Sequence, residues 1–175
     1  MTATATAGGR TGGHVVADSL TALGARAAFG APGVQALAIW EGVRRAPVDV
    51  YEARTELCAA FAADGYARSG GRPAVLLLST GPGGLNSLTG LMEAASSHVP
   101  VVAVCTQVPS ELIGRRGYLQ LRDQLACFEP VVKHAARAPS VESIPAVLAR
   151  AWRVATTPPA GPVFVELPVD LLRAP

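Results

Sequence analysis

The sequence predicts an α/β domain: an open, mostly parallel sheet of about six strands with helices on both faces. Two observations carry this prediction. Segments of strand character alternate with segments of helical periodicity along most of the 175-residue chain, which is the pattern of a doubly wound sheet. Two strand-length runs, at residues 74–78 and 99–105, are continuously apolar, as expected for parallel strands that are buried on both faces.

Helices and strands follow one another in a regular order. Apolar residues recur at helical spacing in five segments, and we predict helices over residues 14–23, 35–44, 55–69, 85–95 and 142–156. Short apolar and β-branched runs alternate with them, and we predict strands at residues 27–30, 48–51, 74–78, 99–105, 131–133 and 163–167. Residues 110–130 are predicted to form an irregular loop with one helical turn, and Pro168 to begin a tail.

The composition is that of one domain with an unusually apolar exterior. Half of the residues are apolar and only 16% are charged, against about 25% in an average globular domain, so we expect a partner or a second copy of the chain to cover much of the surface. The formal net charge of +2 is too small to favour nucleic acid or a membrane surface. No apolar run has the length of a membrane-spanning helix. We predict a disordered leader over residues 1–13, a single domain over 14–172 and a tail over 173–175.

Cysteine, histidine and serine residues give no sign of a metal centre or a hydrolase. The cysteines lie far apart without a C-x-x-C pair, so we predict buried thiols in a reducing, cytoplasmic compartment, at Cys58, Cys105 and Cys127. The histidines are not spaced as zinc ligands, and they are His14, His98 and His134. No serine lies in a G-x-S-x-G context, which argues against the nucleophile elbow of a hydrolase.

The helix over residues 55–69 carries a carboxylate in its first turn. We expect this helix to be mostly buried, because helical spacing relates Leu57, Ala60, Phe61 and Ala67. Glu56 lies in the first turn, where free N–H groups and the helix dipole favour an acidic residue, and Thr55 before it is a suitable cap. From position alone, a structural role for Glu56 is the simpler interpretation, and a functional role stays open.

A glycine-rich turn, Gly81-Pro82-Gly83-Gly84, joins a buried strand to a helix. Ligands commonly meet backbone N–H groups at such positions in α/β sheets. The turn matches neither G-x-G-x-x-G nor a P-loop, because no Gly-Lys-Ser/Thr follows it. The residues alone therefore leave two interpretations open: a turn that binds a ligand, and a turn that only allows close backbone packing.

Five segments, in this order and at this spacing, resemble one enzyme family. They are F-G-A-P-G at 29–33, Glu56 with the alanine-rich run to Arg68, S-T-G-P-G at 79–83 with Asn86, V-P-V-V-A at 99–103 with Q-V-P at 107–109, and G-P-V-F-V-E-L-P at 161–168. Over about residues 14–172 the chain resembles the pyrimidine-binding domain of thiamine-diphosphate enzymes, of the acetolactate synthase and 2-oxo-acid decarboxylase type.

The resemblance implies a role for Glu56. In that family the Glu in this position bonds the N1′ atom of the cofactor's aminopyrimidine and exchanges a proton there. Glu56 would then be the acid and base that activates thiamine diphosphate for the decarboxylation of a 2-oxo acid, with or without transfer of the acyl unit to a second carbonyl compound.

The same resemblance implies the remaining site residues. Those that would line the pyrimidine pocket are Gly33, Thr80, Gly81, Pro82 and Gly83. Asn86 would bind beside them and face a subunit interface. Gln120 matches a substrate-side Gln of the synthases if one residue is inserted before it.

Four positions depart from the family's pattern. Synthases often have His just before the Glu and Gly two residues after it, whereas this chain has Thr55 and Cys58. A second common His is replaced by Phe61, and the second Gly of Pro-Gly-Gly by Val34. These differences concern the substrate more than the cofactor, and they predict a less polar pocket.

The resemblance covers only half of a complete cofactor site. In the family a separate domain with a Gly-Asp-Gly…Asn motif holds the diphosphate through Mg²⁺, and these 175 residues contain no such motif. Sulfopyruvate and phosphonopyruvate decarboxylases carry the two domains on separate subunits. The resemblance therefore implies a partner subunit that supplies Mg²⁺ and the diphosphate ligands, in an α₂β₂ or larger assembly.

Two other interpretations stay open. The chain could be a non-catalytic interaction or regulatory module that keeps the fold and retains Glu56 as a first-turn residue. It could also be a domain excised from a longer, single-chain enzyme of the acetolactate synthase type. Loss of turnover on substitution of Glu56 separates the first of these from an enzyme.

Overall fold

The structure is a computed structural model that describes residues 9–117 and 120–174. In this part of the chain six strands form one sheet. They are β1 (Ala27–Gly30), β2 (Asp49–Glu52), β3 (Ala74–Leu78), β4 (Val101–Gln107), β5 (Ala135–Arg137) and β6 (Val163–Pro168). Every pair of neighbours is parallel, in the order β2-β1-β3-β4-β6-β5. The predicted parallel sheet is confirmed.

Helices cover both faces of this sheet. They are α1 (Gly12–Ala22), α2 (Leu37–Arg45), α3 (Glu56–Gly70), α4 (Pro82–Asn86), α5 (Leu88–Ser96), α6 (Gln124–Phe128), α7 (Ile144–Thr156) and α8 (Val169–Arg173). One apolar core lies between the sheet and α1, α2, α7 and α8. A second core lies between the sheet and α3, α5 and α6. This arrangement confirms the predicted α/β fold class.

The chain reverses its winding direction between β1 and β3. The connection after β1 leads to α2 on one face of the sheet, whereas the connections after β2 and β3 lead to α3 and α5 on the other face. β1 and β3 are neighbours in the sheet, and the loops that follow them therefore lead to opposite faces. Such a switch point opens a crevice at the carboxyl ends of the strands, and α3 begins at that same edge with Glu56.

The predicted strand at residues 131–133 is wrong. The strand lies at Ala135–Arg137 and pairs with β6, with Ala135 opposite Phe164. The residues before it turn instead, because the N–H groups of Val131 and Val132 both donate to the carbonyl oxygen of Phe128 (2.8 and 3.0 Å) at the end of α6. The side chain of Lys133 reaches α7. Its Nζ donates to the carbonyl oxygens of Val154 (2.6 Å) and Thr157 (2.8 Å), at the C-terminal end of α7. A cation at this end of a helix is favoured by the helix dipole.

One predicted helix and the predicted tail also need correction. The helix predicted over 85–95 is two helices, α4 and α5, which join at Ser87. The Ser87 hydroxyl is buried and donates to the carbonyl oxygen of Gly84 (2.6 Å). The tail predicted to begin at Pro168 is instead the last residue of β6 followed by α8, whose Leu172 is fully buried.

The predicted leader overlaps α1. Residues 1–8 lie outside the described residues, but Gly12 and Gly13 form the first turn of α1. A Cβ at Gly12 would overlap the carbonyl of Leu171, and one at Gly13 would overlap that of Ala38. The glycines that suggested disorder are therefore needed for close packing of α1 against α8 and α2.

The prediction that α3 is mostly buried is only half right. Its buried side consists of small residues, namely Ala59, Ala60, Ala63, Asp64 and Ala67. Leu57 is 40% exposed and Phe61 is 44% exposed. Small residues let α3 lie close to the sheet and α5, so the large apolar side chains of this helix point outwards.

The prediction of three buried thiols is wrong for Cys58. Its side chain is exposed in the first turn of α3, whereas Cys105 is buried and Cys127 is half-buried. None of the three forms a disulfide bond. The cytoplasmic location predicted from cysteine usage stays a prediction. Across the described residues, no helix combines the length and apolar character needed to cross a bilayer.

Candidate active site

Glu56 is held at the first position of α3. The backbone of Thr55 is extended, and its Oγ1 accepts a hydrogen bond from the N–H of Cys58 (3.2 Å), which is the usual geometry of an N-cap. The Nδ2 atom of Asn86, the last residue of α4, donates to Oε2 of Glu56 (3.1 Å). This bond orients the carboxylate and leaves Oε1 on the side of Gly83.

A groove of about 280 Å³ opens beside the Glu56 carboxylate. We call it the Glu56 groove and define it by its lining residues, Gly33, Val34, Gln35, Glu56, Ser79, Thr80, Pro82 and Gly83. These residues come from the loop after β1, the start of α3 and the turn after β3. The groove therefore lies at the switch point of the sheet, where α/β proteins bind ligands.

Two glycines keep this groove open. A Cβ at Gly33 would lie 2.7 Å from both Cβ and Oγ of Ser79, which is closer than two such atoms can approach. A Cβ at Gly83 would lie 3.2 Å from Oε1 of Glu56 and 3.2 Å from Cβ of Ser79. Side chains at these two positions would fill the space beside the carboxylate.

The turn after β3 is held by hydrogen bonds that its amides donate to side chains of other segments. The N–H of Thr80 donates to Oγ1 of Thr106 (3.1 Å), and the N–H of Gly81 donates to Oε1 of Gln124 (2.8 Å). Pro82 has no N–H to donate. What the turn presents to the groove is therefore the surface of Pro82 and Gly83, while the amides of Thr80 and Gly81 are used inside the protein.

The structure brings most of the predicted site residues together. Those that line the Glu56 groove are Gly33, Glu56, Thr80, Pro82 and Gly83. Asn86 reaches the site through its bond to Glu56, with its side chain exposed as a residue facing a partner would be. Gly81 is buried behind the groove.

Gln120 is not among the residues that line the groove. Its side chain is 9% exposed, and within the described residues neither its Oε1 nor its Nε2 has a hydrogen-bond partner. A buried amide without partners is costly, by about 1–3 kcal/mol. Gln120 is therefore able to bond to a group that this part of the chain does not supply.

Sequence reasoning missed two polar residues of the groove, Gln35 and Ser79. Ser79 follows a buried strand directly, and this position at the carboxyl edge was a usable signal. Gln35 lies in the loop after β1, two residues after Gly33, and its Oε1 is buried without a partner in the described residues. Its amide makes the groove more polar than the departures at Val34 and Phe61 predicted.

Cys105 lies behind the turn after β3, and its thiol is unreactive. Its Sγ donates to the carbonyl oxygen of Ser79 (3.3 Å). Burial raises the pKa of this thiol well above its ordinary value, so it stays protonated and does not act as a nucleophile.

Comparison with known families shows to which family the chain belongs. Residues 10–127 match the family described as thiamine pyrophosphate enzyme, N-terminal TPP binding domain. The chain belongs to this family. The resemblance seen in the sequence is thereby confirmed, and the Glu56 groove is the candidate site of a thiamine pyrophosphate enzyme domain.

Relatives of this thiamine pyrophosphate enzyme domain are much longer proteins. The chain is 37% identical over 163 residues to an acetolactate synthase large subunit of Haemophilus influenzae, covering 93% of the chain and 28% of the relative. It is 36% identical, with the same coverage, to the acetolactate synthase isozyme 3 large subunit of Escherichia coli. A probable acetolactate synthase large subunit of Methanocaldococcus jannaschii is 35% identical over 91% of the chain and 27% of the relative. The chain thus spans little more than a quarter of the relatives it matches.

Residues of this thiamine pyrophosphate enzyme domain fit the pyrimidine part of the cofactor. Gly33 and Gly83 leave open the space that a Cβ would fill, and Glu56 offers a carboxylate oxygen to it. A flat ring fits into an open space of this kind, and a carboxyl group can form a hydrogen bond with a ring nitrogen. Among the described residues, no group of three or more His, Cys, Asp or Glu side chains is placed to hold a metal ion.

Proposed function

We propose that this chain is the pyrimidine-binding part of a thiamine-diphosphate enzyme that decarboxylates a 2-oxo acid. A more specific proposal is that the resulting acyl unit is then transferred to a second carbonyl compound. The names of the acetolactate synthase relatives favour this reaction. The observation that carries the proposal is the Glu56 carboxylate, oriented by Asn86 beside a groove that two glycines keep open, in a chain of this family.

Each residue of the groove has a task in this proposal. When bound, thiamine diphosphate supplies the carbon nucleophile and the electron sink for decarboxylation. Glu56 would hold a proton at a carboxyl oxygen and would act as the acid and base towards the pyrimidine ring. Asn86 fixes the carboxylate through Oε2. Gly33, Pro82 and Gly83, which line the groove, would pack against the ring and exclude water.

A second polypeptide is part of the proposal. We infer that a diphosphate-binding subunit supplies Mg²⁺ and its ligands, in an α₂β₂ or larger assembly. An exposed apolar surface beside Glu56 supports this. We call it the α3–α5 face and define it by Leu57, Phe61 and Met92, which are 40%, 44% and 56% exposed. A cavity of about 430 Å³, lined by Thr55, Leu57, Leu85, Asn86 and Thr89, continues this face to the site.

The position of this face argues for a partner that completes the active site. Large exposed apolar side chains that adjoin one another mark interaction surfaces. Here one of them, Leu57, lines the same cavity as Asn86, which bonds to Glu56. A partner on this face would cover the open side of the groove. The same face would be covered within one chain if the domain is part of a longer enzyme.

Calorimetry with thiamine diphosphate and Mg²⁺ tests the proposal. We expect tight binding when the chain is mixed with its diphosphate-binding partner, and little binding by the chain alone. In the mixture, Glu56→Gln should lower turnover by about 10²- to 10⁴-fold, which is the usual contribution of a general acid–base group. The matched control is Glu129→Gln, which removes an exposed carboxylate and should keep wild-type turnover.

Two outcomes would overturn the proposal. Wild-type turnover in Glu56→Gln would remove Glu56 from the chemistry. Absence of cofactor binding by the mixture, with both chains folded, would favour an interaction module that keeps the fold without the reaction.

A further inference from the structure

The Gln124 side chain is buried and fully bonded at the carboxyl edge of the sheet. It is 1% exposed. Its Oε1 accepts from the N–H of Gly81 (2.8 Å) and lies 3.3 Å from the hydroxyl of Thr80, which has a shorter bond to Oε1 of Gln107 (3.0 Å). Its Nε2 donates to the carbonyl oxygen of Thr106 (3.2 Å), with Sγ of Cys105 at 3.6 Å. Both ends of one amide are therefore used to join α6, the turn after β3 and strand β4.

The Gln124 amide binds the backbone just beyond the end of the β3–β4 pairing. The pairing of β3 with β4 stops at Leu78 opposite Cys105, so the residues after Leu78 have no ladder bonds to hold them. Gly81 adopts φ 65° and ψ −115°, a conformation that other residues rarely adopt. The bond from Gly81 to Gln124 fixes this conformation, and Gln124 in turn bonds to the Thr106 backbone.

The turn that Gln124 holds is a wall of the Glu56 groove. Two residues beyond Gly81, the backbone of Gly83 passes so near Glu56 that a Cβ there would lie 3.2 Å from Oε1. A small shift of the turn towards Glu56 would close this slot, and a shift away would remove its contact surface. The position of Gly81 therefore determines the width of the groove.

Gln124 also connects this wall to the loop that carries Gln120. It is the first residue of α6, which Asp123 caps through a bond from the N–H of Ala126 (3.2 Å). Residues 120–123, which we call the Gln120 loop, lead directly into that cap, and the Gln120 amide has no partner among the described residues. A change in the course of this loop would move Gln124, and Gln124 would move Gly81.

We propose that Gln124 is a positioning residue that couples the Gln120 loop to the turn lining the Glu56 groove. This proposal rests on the proposed function for its effect on thiamine diphosphate, but the coupling itself is a property of this chain. Gln124 is not among the residues that line the Glu56 groove. It acts by holding Gly81, and through Gly81 it holds Gly83 beside Glu56.

The first experiment measures amide hydrogen exchange of the full 175-residue chain. Gln124→Met keeps the volume and removes both hydrogen-bonding ends, so the Gly81 amide should exchange at least about 10-fold faster. Gln124→Glu is the rescue variant, because a protonated buried carboxyl group can accept from Gly81 and donate to Thr106. It should restore most of the protection. If Gln124→Met does not fold, Gln124→Asn, whose amide is too short to reach Gly81, replaces it.

The second experiment measures the dissociation constant of thiamine diphosphate for the chain assembled with its partner. Gln124→Met should weaken binding about 10-fold. Leu148→Ala is the control, because Leu148 is buried in α7 on the opposite face of the sheet. It lowers stability without touching the turn, and should keep the wild-type constant within about twofold.

The outcomes separate this proposal from the proposed function. Failure of the wild-type assembly to bind thiamine diphosphate overturns the proposed function, while faster exchange of Gly81 in Gln124→Met still supports the coupling. If the wild type binds and Gln124→Met binds equally well, Gln124 has no positioning role. Unchanged exchange at Gly81 overturns the proposal in either case.

Discussion

Two glutamates at the carboxyl edge of the sheet have opposite surroundings. Glu56 is half-exposed and bonded to Asn86 at the mouth of α3. Glu166 lies fully buried in β6, where Arg137 of β5 donates to it through Nε (3.2 Å) and Nη2 (3.4 Å). Burial raises the pKa of Glu166, and the Arg137 guanidinium opposes this only in part. Removing only one partner of such a pair is costly because it leaves the other unpaired.

Glu166 should make the stability of the chain depend on pH. Because the pKa of Glu166 is raised in the folded state, the folded chain binds this proton more tightly than the unfolded chain does. Its favourable contribution is present at low pH and is lost as the pH rises from the ordinary value of 4.5 through the folded-state pKa. Urea unfolding of wild type and Glu166→Gln, compared across this window, measures the effect.

The wild type should lose stability relative to Glu166→Gln as the pH rises. Arg137 is 32% exposed and can reach water in the variant, so the comparison is not dominated by an unpaired buried cation. Parallel pH profiles for the two proteins would show that Glu166 does not titrate differently on folding.

At the scale of elements, the close approach of α3 and α5 supports the site. A Cβ at Gly90 would lie 2.6 Å from Cβ of Ala60 and 3.1 Å from the backbone nitrogen of Phe61. The two helices are therefore in backbone contact. A bond from Arg68 to Glu93 (3.1 Å) joins them further along. This packing sets the distance between Glu56 at the start of α3 and Asn86 just before α5.

Substitution of two helical glycines tests this packing. Gly90→Ala should lower the free energy of unfolding by about 1–3 kcal/mol, because overpacking forces the helices apart. Gly65→Ala is the matched control within α3, where a Cβ meets nothing within 4 Å. It should raise the free energy of unfolding by about 0.5–1 kcal/mol, since Ala is the better helix former. Equal free energies of unfolding in urea for Gly90→Ala and Gly65→Ala would disprove the close contact between α3 and α5.

Elements predicted from apolar runs were found close to their predicted bounds, and those without such a signal were not. β3 lies where its continuous apolar run placed it, and α7 was predicted from its amphipathic pattern. β5 has three half-buried residues of ordinary propensity. Its position depends on pairing with β6 and on the Lys133 bonds to α7, neither of which is a local property of the sequence.

At the scale of the whole molecule, the α3–α5 face should be needed for assembly. Phe61→Glu places a charge on a side chain that is 44% exposed, so the isolated chain should keep its stability within about 0.5 kcal/mol. Association with the proposed diphosphate-binding partner should weaken at least about 100-fold, since a buried unpaired charge is costly at an interface. Analytical ultracentrifugation of the mixture measures this.

The control for this prediction lies on the opposite side of the sheet. Ala146→Glu adds the same charge to an exposed position of α7 and should leave association unchanged. Equal weakening by both variants would attribute the effect to net charge, and normal assembly of Phe61→Glu would exclude the α3–α5 face as the interface.

The sequence by itself determined the fold class, the order of most elements and the family, because apolar periodicity, buried strand runs and spaced motifs are local or ordered features of a chain. It also pointed to Glu56 and to most residues of the groove. Only the tertiary structure decided which side chains meet. Asn86 bonds to Glu56 across 30 positions, and Gln124 bonds to Gly81 across 43. The outward orientation of Leu57 and Phe61 was likewise decided by small residues on the other side of α3. Such contacts depend on how distant segments pack, and helical spacing alone does not say which face of a helix meets the sheet.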